Sequence, residues 1–218
     1  MMMKLPLAGL CLLLGMQVGL TAVACAQSSA WINITPKENL QEWTRVPIPP
    51  NHPLNPVSQW SVDQAHHMIV CQGNRGHEWL RYNHKYKNFI FELEWRLAKV
   101  PGPEKYNSGV FVRNSKDGTI WYQAQVGSAS GGYWFGDNPV AGALKRINLS
   151  QEVKENHVRP AGEWNSYKLR CLGKTLTLWV NGAKQSEFTQ CQNSEGYLGL
   201  EAEGSRIEFR KLRVKILP

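Results

Sequence analysis

Charged residues are scarce in this chain: they make up 19% of its 218 residues, against about 25% in an average soluble domain. A disordered polyelectrolyte is therefore excluded. Runs of basic residues are missing as well. Lys and Arg number 25 against 17 Asp and Glu, a formal charge of +8, yet the cations stand singly, with no basic arm or helix of the kind that reads nucleic acid. No nucleic-acid partner is expected. Helical periodicity is almost absent after the first 26 residues. Three chemical signatures are absent too: Cys/His metal spacing, a Gly-x-Ser-x-Gly elbow, and a glycine loop ending in Gly-Lys-Ser/Thr. Spacing therefore offers no metal site, no serine nucleophile and no nucleotide cradle. What is abundant is tryptophan, nine residues, beside 19 glycines and 12 prolines, a composition of strands, loops and flat ligand surfaces.

The first 26 residues read as an export signal. Lys4 is the only charge before an apolar stretch over residues 5–23 that ends in small residues. Ala24-Cys25-Ala26 offers an ordinary small-x-small cleavage site, while Ala22-Val23-Ala24-Cys25 resembles a bacterial lipobox in which Cys25 would carry the lipid. The expectation is residues 1–26 as signal and 27–218 as one exported domain, touching a membrane only through a lipid on Cys25. Cys71, Cys171 and Cys191 remain in that domain. Cys171 and Cys191 each lie near a turn signal and are expected to form a disulfide, worth about 3 kcal/mol in the chain-entropy view. Three free buried thiols are the alternative.

Period-two alternation runs through the rest. Phe89, Phe91, Leu93 and Trp95 share one strand face and Glu92, Glu94 and Arg96 the other. Leu172-Gly173 and Asn181-Gly182 mark tight turns of a meander. Tyr122, Ala124 and Val126 oppose Trp121, Gln123 and Gln125, and Leu198 and Leu200 oppose Tyr197, Glu201 and Glu203. Ile207 and Phe209 are out of phase with Leu212, Val214 and Ile216, which predicts a bulge near Arg210-Lys211. About a dozen such strands without crossover helices predict an all-β, two-sheet antiparallel jelly-roll sandwich. Residues 47–56 read as a proline-rich surface loop. Residues 127–162 read as a long loop insertion carrying Tyr133, Trp134 and Phe135, suited to binding, with a short helix near Ser150.

Carboxylates are the strongest chemical candidates. Glu201 and Glu203 lie two apart on one strand face, about 7 Å by strand rise, between Gly199 and Gly204. Such a pair suits general acid/base work on a sugar. Glu92 and Glu94 have the same spacing but read as a solvated face paired to arginines. Asn107, Arg113, Gln123 and Gln125 stand on polar strand faces where they would hold hydroxyls and steady an oxyanion. Trp121, Tyr133, Trp134 and Trp179 are candidates to stack on sugar rings.

Four motifs then carry a resemblance: Asn107-Ser108-Gly109-Val110-Phe111-Val112-Arg113, Gly162-Glu163-Trp164-Asn165, Trp179-Val180-Asn181-Gly182, and Gly196-Tyr197-Leu198-Gly199-Leu200 running into Ile207-Glu208-Phe209-Arg210. Together they resemble the 3-keto-disaccharide hydrolase domain family, also named for 3-keto-glucoside 1,2-lyase and 3-keto-2-hydroxy-glucal hydratase activity. The resemblance implies a concanavalin A-like jelly roll, export to the bacterial periplasm or outer surface, and a 3-keto-glycoside as carbohydrate partner. It also implies removal of the acidified C2 proton and loss of the C1 substituent, with no required cofactor. Carried onto this chain, Glu203 or His157 is the base and Glu201 its partner or acid. Arg113 and Gln125 become oxyanion stabilisers, and Asn107, Gln123, Trp134 and Tyr133 sugar contacts. Two departures stand out. The family commonly shows Tyr-Glu-x-Gln-Ile-x-Asp where this chain has Tyr122-Gln123-Ala124-Gln125-Val126-Gly127-Ser128, and Leu-Gln-x-His-Gly where it has Leu200-Glu201-Ala202-Glu203-Gly204. A non-catalytic carbohydrate-binding module of the same fold is the alternative function.

Overall fold

The structure, a computed structural model, describes residues 30–102 and 105–218. The expected signal over residues 1–26, with Cys11 and Cys25, lies outside the described residues. In chain order the strands are β1 (Ile32–Asn33), β2 (Trp43–Pro47), β3 (Trp60–Asp63), β4 (Met68–Cys71), β5 (Glu78–Tyr86), β6 (Phe89–Leu97), β7 (Ser108–Asn114) and β8 (Trp121–Val126). They continue with β9 (Gly131–Val140), β10 (Ala143–Asn148), β11 (Asn165–Leu172), β12 (Thr175–Val180), β13 (Ala183–Phe188), β14 (Gly196–Ala202) and β15 (Ile207–Ile216). One sheet runs β13-β12-β11-β6-β15-β4-β3 with β1 added on β15, and the other runs β10-β9-β8-β7-β14-β5-β2. Every strand pairing among the described residues is antiparallel.

Side-chain alternation produces the sandwich. Phe89, Phe91, Leu93, Trp95 and Leu97 of β6 face the interior with Tyr167, Leu169 and Cys171 of β11. Val110 and Val112 of β7, Tyr122, Ala124 and Val126 of β8, and Leu198, Leu200 and Ala202 of β14 meet them from the second sheet. Each largely buried aromatic or aliphatic side chain contributes about 1.5–3 kcal/mol of transfer free energy. The phase change in the last strand is resolved where expected: pairing with β6 shifts register between Arg210 and Arg213, and Lys211 sits at φ 54°. Glu92 and Glu94 lie outside, paired with Arg213 and with Arg210 and Lys211.

Two expectations need correction. Residues 127–162 are not a structureless loop, because 10 of them form β9 and 6 form β10 at the edge of the seven-stranded sheet, followed by a single 3-10 turn at Ser150–Glu152. Glycines and aromatics suggested a loop, but β10 pairs with β9 along its whole length. Nor is there a disulfide: Cys71, Cys171 and Cys191 are free and buried. Cys171 is an inward residue of β11, and the Cys191 thiol donates to the Asn193 carbonyl at 3.2 Å while facing Arg113 Nη1 at 3.8 Å.

Candidate functional site

The outer face of the seven-stranded sheet carries a cleft of about 470 Å³. Because Tyr122, Ala124 and Val126 point into the core, Trp121, Gln123 and Gln125 must point into this cleft. The same logic turns Glu201 of β14 outward, and Glu203, one residue past the strand, also lines the cleft. Residues 47–50, where the proline-rich loop begins, form one wall. Register places Glu201 opposite Trp79 and Ala202 opposite Glu78, so His77, one residue before β5, falls beside Glu203.

Glu201 is the centre of the polar end. It is 3% exposed; its Oε1 lies 2.9 Å from His77 Nε2, and its Oε2 accepts from Gln123 Nε2 at 2.5 Å. Glu203 Oε2 is 3.8 Å from the same His77 nitrogen and is more open to solvent. Burial drives the Glu201 pKa above the ordinary carboxyl value, opposed by the bonds from His77 and Gln123. For His77 burial disfavours the charged ring, but the Glu201 hydrogen bond and the charges of Glu201 and Glu203 outweigh it and raise the pKa. The other deeply buried acid differs. Glu78 is ion-paired with Arg45 at 2.8 Å and bonded to Gln59 and Trp60, a structural arrangement.

Two glycines make the geometry possible. A Cβ on Gly109 would run into the Gln123 side chain, and one on Gly199 into the Trp79 ring. Beside them Gln125 Nε2 donates to Asn107 Oδ1 at 2.6 Å and to the Ser108 carbonyl at 3.2 Å. The Gln125 N–H groups are thus used within the protein, whereas Asn107, accepting through Oδ1, keeps its Nδ2 donors for a ligand. The other end of the cleft is aromatic: Phe111, Trp121 and Phe135 meet edge to face, and Arg146 lies over Trp121 and Phe135 while bonded to Asp137.

The structure therefore brings together Glu201, Glu203, Asn107, Gln123 and Gln125. It separates four others. Arg113 leaves the strand alternation at φ 54° and is fully buried, donating to the carbonyls of Lys87 and Gly173 at the end of the sandwich. It cannot reach an oxyanion in the cleft. Trp134 belongs to the core. Tyr133 and His157 line none of the cleft; His157 instead donates its backbone N–H to Gln185 at 2.8 Å. His77 is the residue that sequence spacing missed. Together with Glu201 and Glu203 it offers ligand atoms within 4.8 Å of one another, a set able to hold a divalent cation.

The sequence matches the 3-keto-alpha-glucoside-1,2-lyase-like domain family over residues 30–215. The chain belongs to this family. A 3-keto-disaccharide hydrolase of Bacteroides thetaiotaomicron is 24% identical over 212 residues, spanning 73% of this chain and 71% of that one. Among solved structures, a Parabacteroides distasonis protein assigned to the glycosyl hydrolases superposes with a TM-score of 0.61 at 17% identity, covering 86% of this chain and 94% of that one. The β-glucanase of Bacillus licheniformis gives 0.55 at 12% identity, covering 88% and 100%. The carbohydrate-binding module CBM66 of Bacillus subtilis gives 0.57 at 15%, covering 80% and 95%. These likenesses define the jelly-roll fold. Within this family of 3-keto-glucoside lyase-like domains, the two sequence departures meet in space. Gln123 and Glu201 are hydrogen-bonded to each other.

Proposed function

We propose that the protein is an exported enzyme that cleaves 3-keto-glycosides by elimination across C2 and C1. The observation that carries this reading is the His77–Glu201–Glu203 cluster at the polar end of a cleft with an aromatic far end. Glu203, the more exposed carboxylate, takes the C2 proton. The C2–H electron pair forms an enolate with the C3 carbonyl, which the Asn107 amide donors hold. As the ketone re-forms, the pair moves to make the C1–C2 double bond and the C1–oxygen bond breaks. The departing oxygen receives a proton from the His77 imidazolium, which Glu201 orients and keeps charged. Addition of water at C1 makes the net result hydrolysis. The Gln123–Glu201 contact supports this assignment, since it holds a carboxylate where the imidazole needs one.

General acid/base groups contribute about 10²–10⁴-fold each. A chromogenic 3-keto-glucoside and its unoxidised parent, given to the purified protein, test the reading. Aglycone release from the keto form alone is expected, with Glu203→Gln and Glu201→Gln each losing about 10²-fold or more. Full turnover in both variants would remove these residues from the mechanism. Binding without release from either sugar would make the cleft a binding site only.

A further inference from the structure

The opposite side of the molecule carries a second built surface. On the outer face of the eight-stranded sheet, cross-strand register lines up Asn33, Arg213, Glu92, Lys168, Trp179 and Lys184 in one row over six strands. An indole stands at each end of the groove that this row floors. Trp31, next to β1, is 38% exposed and has the Arg213 guanidinium 4.4 Å over its ring; Trp179 has Lys168 Nζ at 5.3 Å. Four inter-strand steps separate β1 from β12, about 19 Å at the usual strand spacing, long enough for several linked sugar rings. The groove holds about 1250 Å³.

Its charge is one-sided. Lys37, Lys168, Arg210, Lys211 and Arg213 line it against only Glu92 and Glu94. Glu92 pairs with Arg213, and Glu94 with Arg210 and Lys211. Lys37 and Lys168 have no carboxylate within ion-pair distance among the described residues. An ordinary solvated sheet face needs no indoles, and a plain polyanion site has no use for flat apolar platforms at both ends. Indole faces suit the apolar face of a pyranose, and Lys168, stacked on Trp179 without a carboxylate partner among the described residues, remains free to meet carboxylates from the solvent side.

We propose that this groove is a second carbohydrate-binding site, separate from the cleft, that takes a linear polysaccharide segment bearing carboxylates. It would hold the protein on an acidic glycan while the opposite face remains open to substrate.

Calorimetry with an oligogalacturonate of about six units tests this, beside a neutral malto-oligosaccharide of equal length and polyglutamate as a sugar-free polyanion. Binding of the oligogalacturonate is expected, falling as salt rises. Trp31→Ala and Trp179→Ala should each weaken it tenfold or more, and Lys168→Glu should weaken it with Trp179 still in place, which guards against a folding defect in the tryptophan variants. Glu201→Gln should bind as the parent does, which separates this surface from the cleft. No binding, equal affinity for polyglutamate or for the neutral glucan, or indifference to all three groove substitutions would overturn the proposal.

Discussion

Burial pushes the Glu201 carboxyl up while the same carboxylate, by its hydrogen bond and charge, raises the His77 imidazole. The two titrate as a pair, so the observed values belong to both. If turnover needs Glu201 ionised and His77 protonated, kcat/KM on a 3-keto-glucoside should be bell-shaped. Its acid limb should lie above the ordinary carboxyl value of 4.5 and its alkaline limb above the ordinary histidine value of 6.5. His77→Ala should abolish the alkaline limb and move the acid limb further up, because Glu201 loses a bond that favours its charged form. A pH-independent rate over this range would contradict the assignment. Linkage gives the sign for stability. Both groups bind protons more tightly folded than unfolded, so their contribution is present below the unfolded values and is lost as pH rises through the folded ones. Arg113 makes a contrasting prediction. Its guanidinium satisfies the Lys87 and Gly173 carbonyls in the interior, and hydrogen bonds to charged groups are worth about 1.5–3 kcal/mol. Arg113→Met should lower unfolding free energy by about 3 kcal/mol in a denaturant titration while the folded fraction keeps its KM; unchanged stability would refute a structural role.

At the scale of the strand, β8 and β14 were legible because strict alternation decides which side chains leave the core. Alternation alone puts Gln123, Gln125, Glu201 and Glu203 on polar outer faces, which the structure shows to be the cleft side. The bulge in β15 was legible as a phase conflict. Arg113 was not, because a positive φ rotates one residue out of an otherwise regular strand, and nothing in the pattern of β7 announces it. His77 was illegible for another reason: its partner Glu201 is 124 residues away, and only the β5–β14 register brings them together. β9 and β10 were hidden by glycines and a Tyr-Trp-Phe run that also suit a binding loop. The packing of β7 against β8 yields a further test. Gly109→Ala should press on Gln123 and disturb its bond to Glu201, lowering kcat at least tenfold with a smaller effect on KM. A variant with parental kcat would show that this contact does not position the carboxylate.

Over the whole molecule, the two sheets enclose one continuous core and leave two outer faces with different chemistry, a cleft of carboxylates and amides on one side and an indole-bounded cationic groove on the other. The thiols report on that core. Burial raises Cys71, to about 12, and Cys171 and Cys191 as well, so in a protein starting at residue 27 these three thiols should resist an aromatic disulfide reagent until the domain unfolds, and then all three should react. Fast labelling of the folded protein, or one reactive thiol in denaturant, would contradict the free buried state. The cysteine spacing alone could not decide this, because a bridge depends on the mutual direction of two side chains. The C2 elimination is measured most directly by comparing a 3-keto-glucoside carrying deuterium at C2 with its protonated counterpart on the purified protein, alongside the unoxidised glucoside. Elimination through C2 predicts a slower rate for the deuterated substrate, loss of the label to solvent, and no turnover of the parent glucoside. Retention of the C2 label in the product, or equal cleavage of the parent, would contradict elimination through C2.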